Sequence, residues 1–216
     1  MKCYCISGLG ADKRAFKNLD FGYDLIHIEW VVPKPKESLS DYSKRISEQI
    51  DNSESFIILG LSFGGLIACE ISNFLRPKQT ILISSLTNKK DLSLFFRLIG
   101  RIHIHRFIPH FLMKLPMFLA YWFFGVESAN NKKLLNDIIS DTDTKLLKWS
   151  INKLLNHQPI SLPANLLRIH GTNDRLISAK QALDIHWIKE GGHFIIIEEA
   201  NQINFFLSRK IKKPSI

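Results

Sequence analysis

The sequence has few of the features that mark secreted, metal-binding or membrane-spanning proteins. Its three cysteines are Cys3, Cys5 and Cys69. This count is low and odd, which is not typical of a disulfide framework, and no second ligand pair at a suitable spacing accompanies them, so we expect no metal site. The longest apolar stretch, 111–124, is broken by Lys114 and Pro116 and is too short to cross a bilayer.

Two further absences limit the location and the partners. No apolar segment with a small-residue cleavage site follows Met1, so we expect no signal peptide and, by default, a cytoplasmic protein. Lysine and arginine exceed aspartate and glutamate by 29 to 20, a net charge of +9. These basic residues are scattered and do not interleave with aromatic residues on a predicted strand, so we expect no nucleic-acid partner.

Short apolar runs alternate with helical patterns, which predicts an α/β fold with a mostly parallel sheet flanked by helices. The predicted strands are 3–6, 23–30, 55–59, 79–83, 166–169 and 184–189. The predicted helices are 14–19, 40–50, 66–75, 178–183 and 200–206. Residues 1–87 and 160–216 would form this core.

The segment 88–159 is different, because it is helical in character and has no strand alternation. It predicts a helical cap inserted after the strand 79–83. A pair of ordinary crossover helices is the alternative, although about 70 residues is long for one.

A serine between two glycines, Gly60-Leu61-Ser62-Phe63-Gly64, follows a predicted strand and opens a predicted helix. This placement is typical of a nucleophile elbow, which presents the hydroxyl of Ser62 above the sheet. The N–H of Phe63 could then donate to a developing oxyanion, aided by the helix dipole. The alternative is a phosphate-binding turn, but the lysine and the longer loop of a Walker sequence are missing.

A serine nucleophile needs a base, and His193 is the best placed of the eight histidines. It lies in a glycine-opened loop directly after the strand 184–189, whereas the other seven lie in strands, in the helical block or in a linker. Asp174 follows the strand 166–169 and precedes His193, so it could orient the imidazole and stabilise its charged form. A structural histidine and a turn aspartate are the plainer alternatives.

A second oxyanion donor is expected from the loop after the first strand. Ser7-Gly8-Leu9-Gly10 suits this purpose, with the N–H of Leu9 as the donor. A β-turn without a catalytic role is the alternative.

Four segments together resemble the α/β-hydrolase superfamily over essentially the whole chain except the cap. They are GLGAD (8–12), GLSFGG (60–65), HGTND (170–174) and GGHF (191–194). The resemblance implies a triad of Ser62, Asp174 and His193 and an oxyanion hole formed by Leu9 and Phe63. It implies no cofactor.

This sequence departs from the family pattern at three places. Ser7 stands where the family often has histidine, and the first strand corresponds to the family's third. The 19 positions from Asp174 to His193 imply a shortened helix between them.

The expected function is hydrolysis of a carboxylic ester or thioester by a serine hydrolase. The cap is rich in aromatic residues, which suits a small-molecule substrate with an apolar acyl or aromatic group. The residues of this block are Phe95, Phe96, Phe107, Phe111, Phe118, Trp122, Phe123 and Phe124, among Arg97, Arg101, Arg106 and Lys114. This basic, amphipathic block could also rest weakly on an acidic membrane surface, or it could be a self-packed cap with a solvated face.

Two other functions remain open from the sequence. The same triad could cleave a carbon–carbon bond or catalyse a lyase step, or the fold could serve as a binding protein without chemistry. The sequence predicts no oligomeric state.

Overall fold

The computed structural model describes residues 1–9, 11–102, 117–158, 160–179 and 184–211. The strands are β1 (Lys2–Ile6), β2 (Asp24–His27), β3 (Ile57–Leu61), β4 (Gln79–Ile83), β5 (Leu166–Gly171) and β6 (Ile185–Ile188). They form one six-stranded sheet in the order β2-β1-β3-β4-β5-β6, in which each neighbouring pair is parallel. The predicted α/β class is therefore confirmed.

Helices cover both faces of this sheet. They are α1 (Leu39–Ile46), α2 (Phe63–Leu75), α3 (Leu94–Ile102), α4 (Met117–Phe124), α5 (Ala129–Asp141), α6 (Thr144–Asn156), α7 (Ile195–Glu198) and α8 (Ala200–Lys210). Because side chains alternate along a strand, β1 contributes to two cores. Cys3 and Cys5 pack in the core that contains α7 and α8, and Tyr4 and Ile6 pack in the core that contains α1 and α2.

In the described part of the segment between β4 and β5 lie four helices, α3 to α6, which is where the helical insertion is predicted. This segment packs on the body of the molecule, since Leu155 of α6 shares the core of α1 and α2, and Leu135 of α5 shares the other core. The boundaries at 88 and 159 stay a prediction. Part of the predicted aromatic and basic set lies outside the described residues, namely Phe107, Phe111, Arg106 and Lys114.

Several predicted boundaries are wrong, for local reasons. The strand predicted to reach Trp30 ends at His27, because the indole of Trp30 turns back to bind Ser7. The helix predicted at 14–19 is a single 3₁₀ turn, Lys13–Phe16, capped by Asp12. Most of the short helix predicted at 178–183 lies outside the described residues.

The turn from β3 into α2 depends on close backbone packing. A Cβ on Gly60 would lie 2.5 Å from the Gly65 Cα atom, and one on Gly64 would lie 2.9 Å from the Ile6 carbonyl carbon. Real Cβ atoms do not approach other atoms so closely. Glycine at these positions therefore allows α2 to begin directly against β1 and β3.

Adding a methyl group at Gly64 tests this packing. We expect Gly64→Ala to lower the free energy of unfolding by about 1 to 3 kcal/mol, because the new atom overlaps backbone that has no room to move. Urea denaturation measures the change. The control Asn73→Ala, at an exposed position of α2, removes only a solvent-exposed hydrogen bond to the Ser161 carbonyl and should change stability by about 0.5 kcal/mol or less. Equal or greater stability of Gly64→Ala would contradict the close approach.

Candidate functional site

The predicted site residues lie in four loops at one edge of the sheet. The loops follow β1, β3, β5 and β6, and they carry Leu9, Ser62, Asp174 and His193 respectively. Parallel strands bring their carboxyl ends to the same edge, where sites form in open α/β sheets. The structure thus gathers residues that are up to 184 positions apart in the sequence.

Ser62 has a strained backbone, with φ 51° and ψ −120°. L-residues rarely adopt this region, and surrounding structure must hold them there. Two hydrogen bonds do so: the Ser62 amide donates to the Ile83 carbonyl at 2.9 Å, and the Ser85 hydroxyl donates to the Ser62 carbonyl at 2.7 Å. The Ser62 side chain is left partly exposed at the sheet edge.

The structure brings Ser62, His193 and Asp174 into one chain of hydrogen bonds. The His193 Nε2 atom lies 2.9 Å from the Ser62 Oγ atom, and the Nδ1 atom lies 2.7 Å from the Asp174 Oδ2 atom. Because a carboxylate oxygen only accepts, His193 carries its proton on Nδ1. Its Nε2 atom is then free to accept the proton of the Ser62 hydroxyl.

The Asp174 carboxylate is buried, with a side chain that is 0% exposed. Burial alone would raise the pKa of this carboxyl group. The charge of His193, the hydrogen bond from His193 and the nearby imidazole of His170 outweigh burial and hold the pKa well below its ordinary value. Asp174 is therefore ionised at neutral pH.

Backbone contacts join the Asp174 loop to the His193 loop. The Asn173 amide donates to the Gly191 carbonyl at 2.9 Å, and the Thr172 amide donates to the Ile188 carbonyl at 3.0 Å. A Cβ on Gly171 would lie 2.6 Å from the Gly192 carbonyl oxygen, so only glycine allows this approach. The relative position of the carboxylate and the imidazole is thus set by the main chain.

The two expected oxyanion donors belong to two segments that adjoin Ser62. The Phe63 N–H is one of the first four of α2, which have no acceptor inside the helix. The loop after β1 passes so close that a Cβ on Gly8 would lie 3.3 Å from the Ser62 Cβ atom, and Leu9 follows in the same loop. Gly10 lies outside the described residues.

A tryptophan connects these two segments. The Trp30 indole donates to the Ser7 hydroxyl at 2.7 Å and to the Ala11 carbonyl at 3.1 Å, which braces the loop after β1. Its ring stacks on Phe63 at 5.9 Å. Ser7 therefore serves as an anchor for the loop after β1.

Sequence reasoning missed three contacts of the site. The sequence pattern places Trp30 only in a strand and His170 only at a strand end, although His170 lies four positions before Asp174. Phe124 was expected in the cap, and its ring lies edge-on to His193 at 5.2 Å. Histidine and aspartate four positions apart across a strand end is the signal that could have singled out His170.

The described ranges contain no group of three or more histidine, cysteine, aspartate or glutamate side chains that could hold a metal ion. None of the helices in these ranges combines the length and the hydropathy that a bilayer-spanning helix needs.

The fold is similar to that of several hydrolases of known structure. An esterase from Exiguobacterium antarcticum matches with a TM-score of 0.74 and 15% identity, over 99% of this chain and 92% of the esterase. A meta-cleavage product hydrolase from Pseudomonas fluorescens matches with a TM-score of 0.69 and 18% identity, over 97% and 89% of the two chains. A thermophilic esterase from Thermogutta terrifontis matches with a TM-score of 0.69 and 12% identity, over 97% of this chain and 89% of the esterase.

The sequence itself matches no protein-family model and no curated protein. At these identities the structural matches concern the fold. The six-stranded parallel sheet, its flanking helices and its neighbours among solved structures show that this chain has the α/β-hydrolase fold.

Proposed function

We propose that this protein is a serine hydrolase that cleaves a carboxylic ester or thioester through an acyl-enzyme intermediate. The observation that carries the proposal is the hydrogen-bonded chain from the Ser62 hydroxyl through His193 to Asp174, with links of 2.9 and 2.7 Å. A strained serine, a correctly oriented imidazole and a buried carboxylate are the parts that acyl transfer by a serine requires.

In the first half of the reaction, the Ser62 Oγ atom attacks the substrate carbonyl carbon as its proton passes to the His193 Nε2 atom. Asp174 stabilises the imidazolium that forms and does not itself take up the proton. The amides of Leu9 and Phe63 donate to the carbonyl oxygen as it becomes an oxyanion. The bond to the leaving alcohol or thiol then breaks, and the leaving group takes the proton from His193.

The second half repeats these steps with water. His193 removes a proton from a water molecule, whose oxygen attacks the acyl carbon, and the Ser62 oxygen leaves with the proton that His193 returns. The carboxylic acid is released and the free enzyme is restored.

Aromatic side chains around the site favour an apolar acyl or aromatic group in a small-molecule substrate. Phe124 lies over the edge of His193, Trp30 stacks on Phe63, and Trp149 of α6 meets Phe63 edge-on at 6.0 Å. Two of these residues, Phe124 and Trp149, come from the helical insertion between β4 and β5. We therefore infer that this insertion acts as a cap that helps to select the substrate.

Cleavage of a carbon–carbon bond is the second candidate, because a meta-cleavage product hydrolase is among the structural neighbours. The same serine, imidazole and carboxylate would be used, but the leaving group would be a carbon atom. Two of the three matches described above are esterases, which favours the ester.

Replacement of the nucleophile tests the function. We expect Ser62→Ala to lower kcat for p-nitrophenyl esters by about 10⁴-fold or more, because the attacking oxygen is removed, while the urea midpoint stays near that of the wild type. The control Ser72→Ala removes a buried hydroxyl from the same helix and should retain turnover.

A panel of esters and thioesters of graded chain length, together with a vinylogous diketone, separates the two candidates. Turnover of the diketone alone would favour carbon–carbon cleavage. Undiminished ester hydrolysis by Ser62→Ala would refute the serine mechanism.

We further propose that the cap makes a weak contact with acidic membrane surfaces. Leu94, Leu98 and Phe118 are 59 to 77% exposed, and Trp122 is 54% exposed. The stacking of Phe95 on Phe123, beside Trp122, joins α3 to α4 into one surface. The sequence has no aspartate or glutamate from 92 to 126, which suits an anionic partner.

Vesicle sedimentation tests this contact. We expect more of the protein to sediment with vesicles that contain phosphatidylglycerol than with vesicles of pure phosphatidylcholine. The sedimented fraction should fall as salt is added, because the attraction is partly electrostatic. Phe118→Glu should reduce binding several-fold. The control Phe205→Glu alters an aromatic residue that is 60% exposed on α8, and it should bind as the wild type does. Equal binding by Phe118→Glu, or none by the wild type, would contradict the proposal.

A further inference from the structure

A second imidazole contacts the carboxylate that orients His193. The His170 Nε2 atom lies 3.1 Å from Asp174 Oδ2, the same oxygen that lies 2.7 Å from His193 Nδ1. The His170 side chain is only 2% exposed. Two histidines from different strand ends therefore share one carboxylate oxygen.

The surroundings of His170 fix its tautomer. Besides Asp174, its Nε2 atom faces the Ile177 carbonyl oxygen at 2.7 Å. Both neighbours are acceptors, so Nε2 carries a proton. It donates this proton to the Ile177 carbonyl oxygen, and the same N–H lies beside Asp174 Oδ2, with the nitrogen 3.1 Å away. The other oxygen of Asp174, Oδ1, accepts from the amides of Leu176 and Ile177 at 2.9 and 2.8 Å.

Among the described residues, the ionisable groups with the largest effect on the pKa of the Asp174 carboxyl group are the two imidazoles. From β6, the group packed on His170 is the uncharged ring of Trp187. From α4, the uncharged ring of Phe124 packs on His193.

Arg175, next to Asp174 in the sequence, places its guanidinium over Trp122 at 4.6 Å. The balance of charge on Asp174 is thus set between His170 and His193.

We propose that His170 is a positioning residue, which holds the Asp174 carboxylate in place and limits the negative charge that it presents to His193. The positive end of the His170 N–H dipole lies beside Oδ2 and offsets part of the carboxylate charge there. It thereby weakens the hold of Asp174 on the charged imidazole of His193. The role of this pair in turnover rests on the proposed function, whereas the effect on His193 does not.

The test is the pH dependence of kcat/KM for a p-nitrophenyl ester in His170→Phe, which keeps a ring but has no donor. Because Asp174 then presents its full charge to His193, the acid limb should move to higher pH by about 0.5 to 1 unit. His170→Gln keeps an N–H donor and should restore the wild-type profile.

The control His157→Phe removes another buried histidine, whose Nδ1 atom faces the Leu154 carbonyl and not Asp174. It should leave the acid limb in place even if it lowers stability. If His170→Phe does not fold, the smaller His170→Leu takes its place. An unmoved acid limb in the folded variant would reduce His170 to a packing residue and overturn the proposal.

A second measurement does not depend on turnover. In protein labelled with ¹⁵N-histidine, the ring nitrogens of His193 report its protonation directly by NMR. Their midpoint should rise in His170→Phe and return in His170→Gln. A rise in a protein that hydrolyses no ester would leave this inference intact and refute the proposed function, and an unchanged midpoint would refute the inference itself.

Discussion

The site depends on the hydrogen bonds that stabilise the buried carboxylate of Asp174. A charge without exposure to solvent is tolerated in a protein only if hydrogen bonds replace its water. Two backbone amides and the His193 imidazole do so here, and the His170 N–H lies close to the same carboxylate. The net effect is a pKa below the ordinary value in spite of burial. The Asp174 carboxylate bound to His193 Nδ1 is thus ionised at neutral pH and held in a fixed position.

The sheet supplies the fixed frame for that anion. Parallel strands β3, β5 and β6 end at the same edge of the sheet. Glycines at the turns after them let neighbouring main chains approach closely enough to form hydrogen bonds. This close packing requires a positive φ of 51° at Ser62, and hydrogen bonds with Ile83 and Ser85 hold its backbone in that conformation. The segment between β4 and β5 also contacts this region, because Phe124 of α4 packs on His193 and Trp149 of α6 packs on Phe63.

Much of the fold follows from local patterns in the sequence. Alternation of buried strands with amphipathic helices predicts the parallel sheet, and it is confirmed. The end of β2 was not predictable, because Trp30 leaves the strand to bind Ser7, a contact between residues 23 positions apart. The gathering of Ser62, Asp174 and His193 was expected from their places after strands. The sharing of Asp174 by His170 was not, since it depends on side-chain directions that periodicity does not encode.

The central claim is that Ser62 is a nucleophile activated by His193, and covalent labelling tests it most directly. A fluorophosphonate should add to the peptide that contains Ser62 in the wild-type protein, with loss of fluoride, as found by mass spectrometry. His193→Ala, with Ser62 intact, should label far more slowly. Absence of an adduct on Ser62, as expected of a binding protein without chemistry, or equal labelling of His193→Ala, would contradict the account.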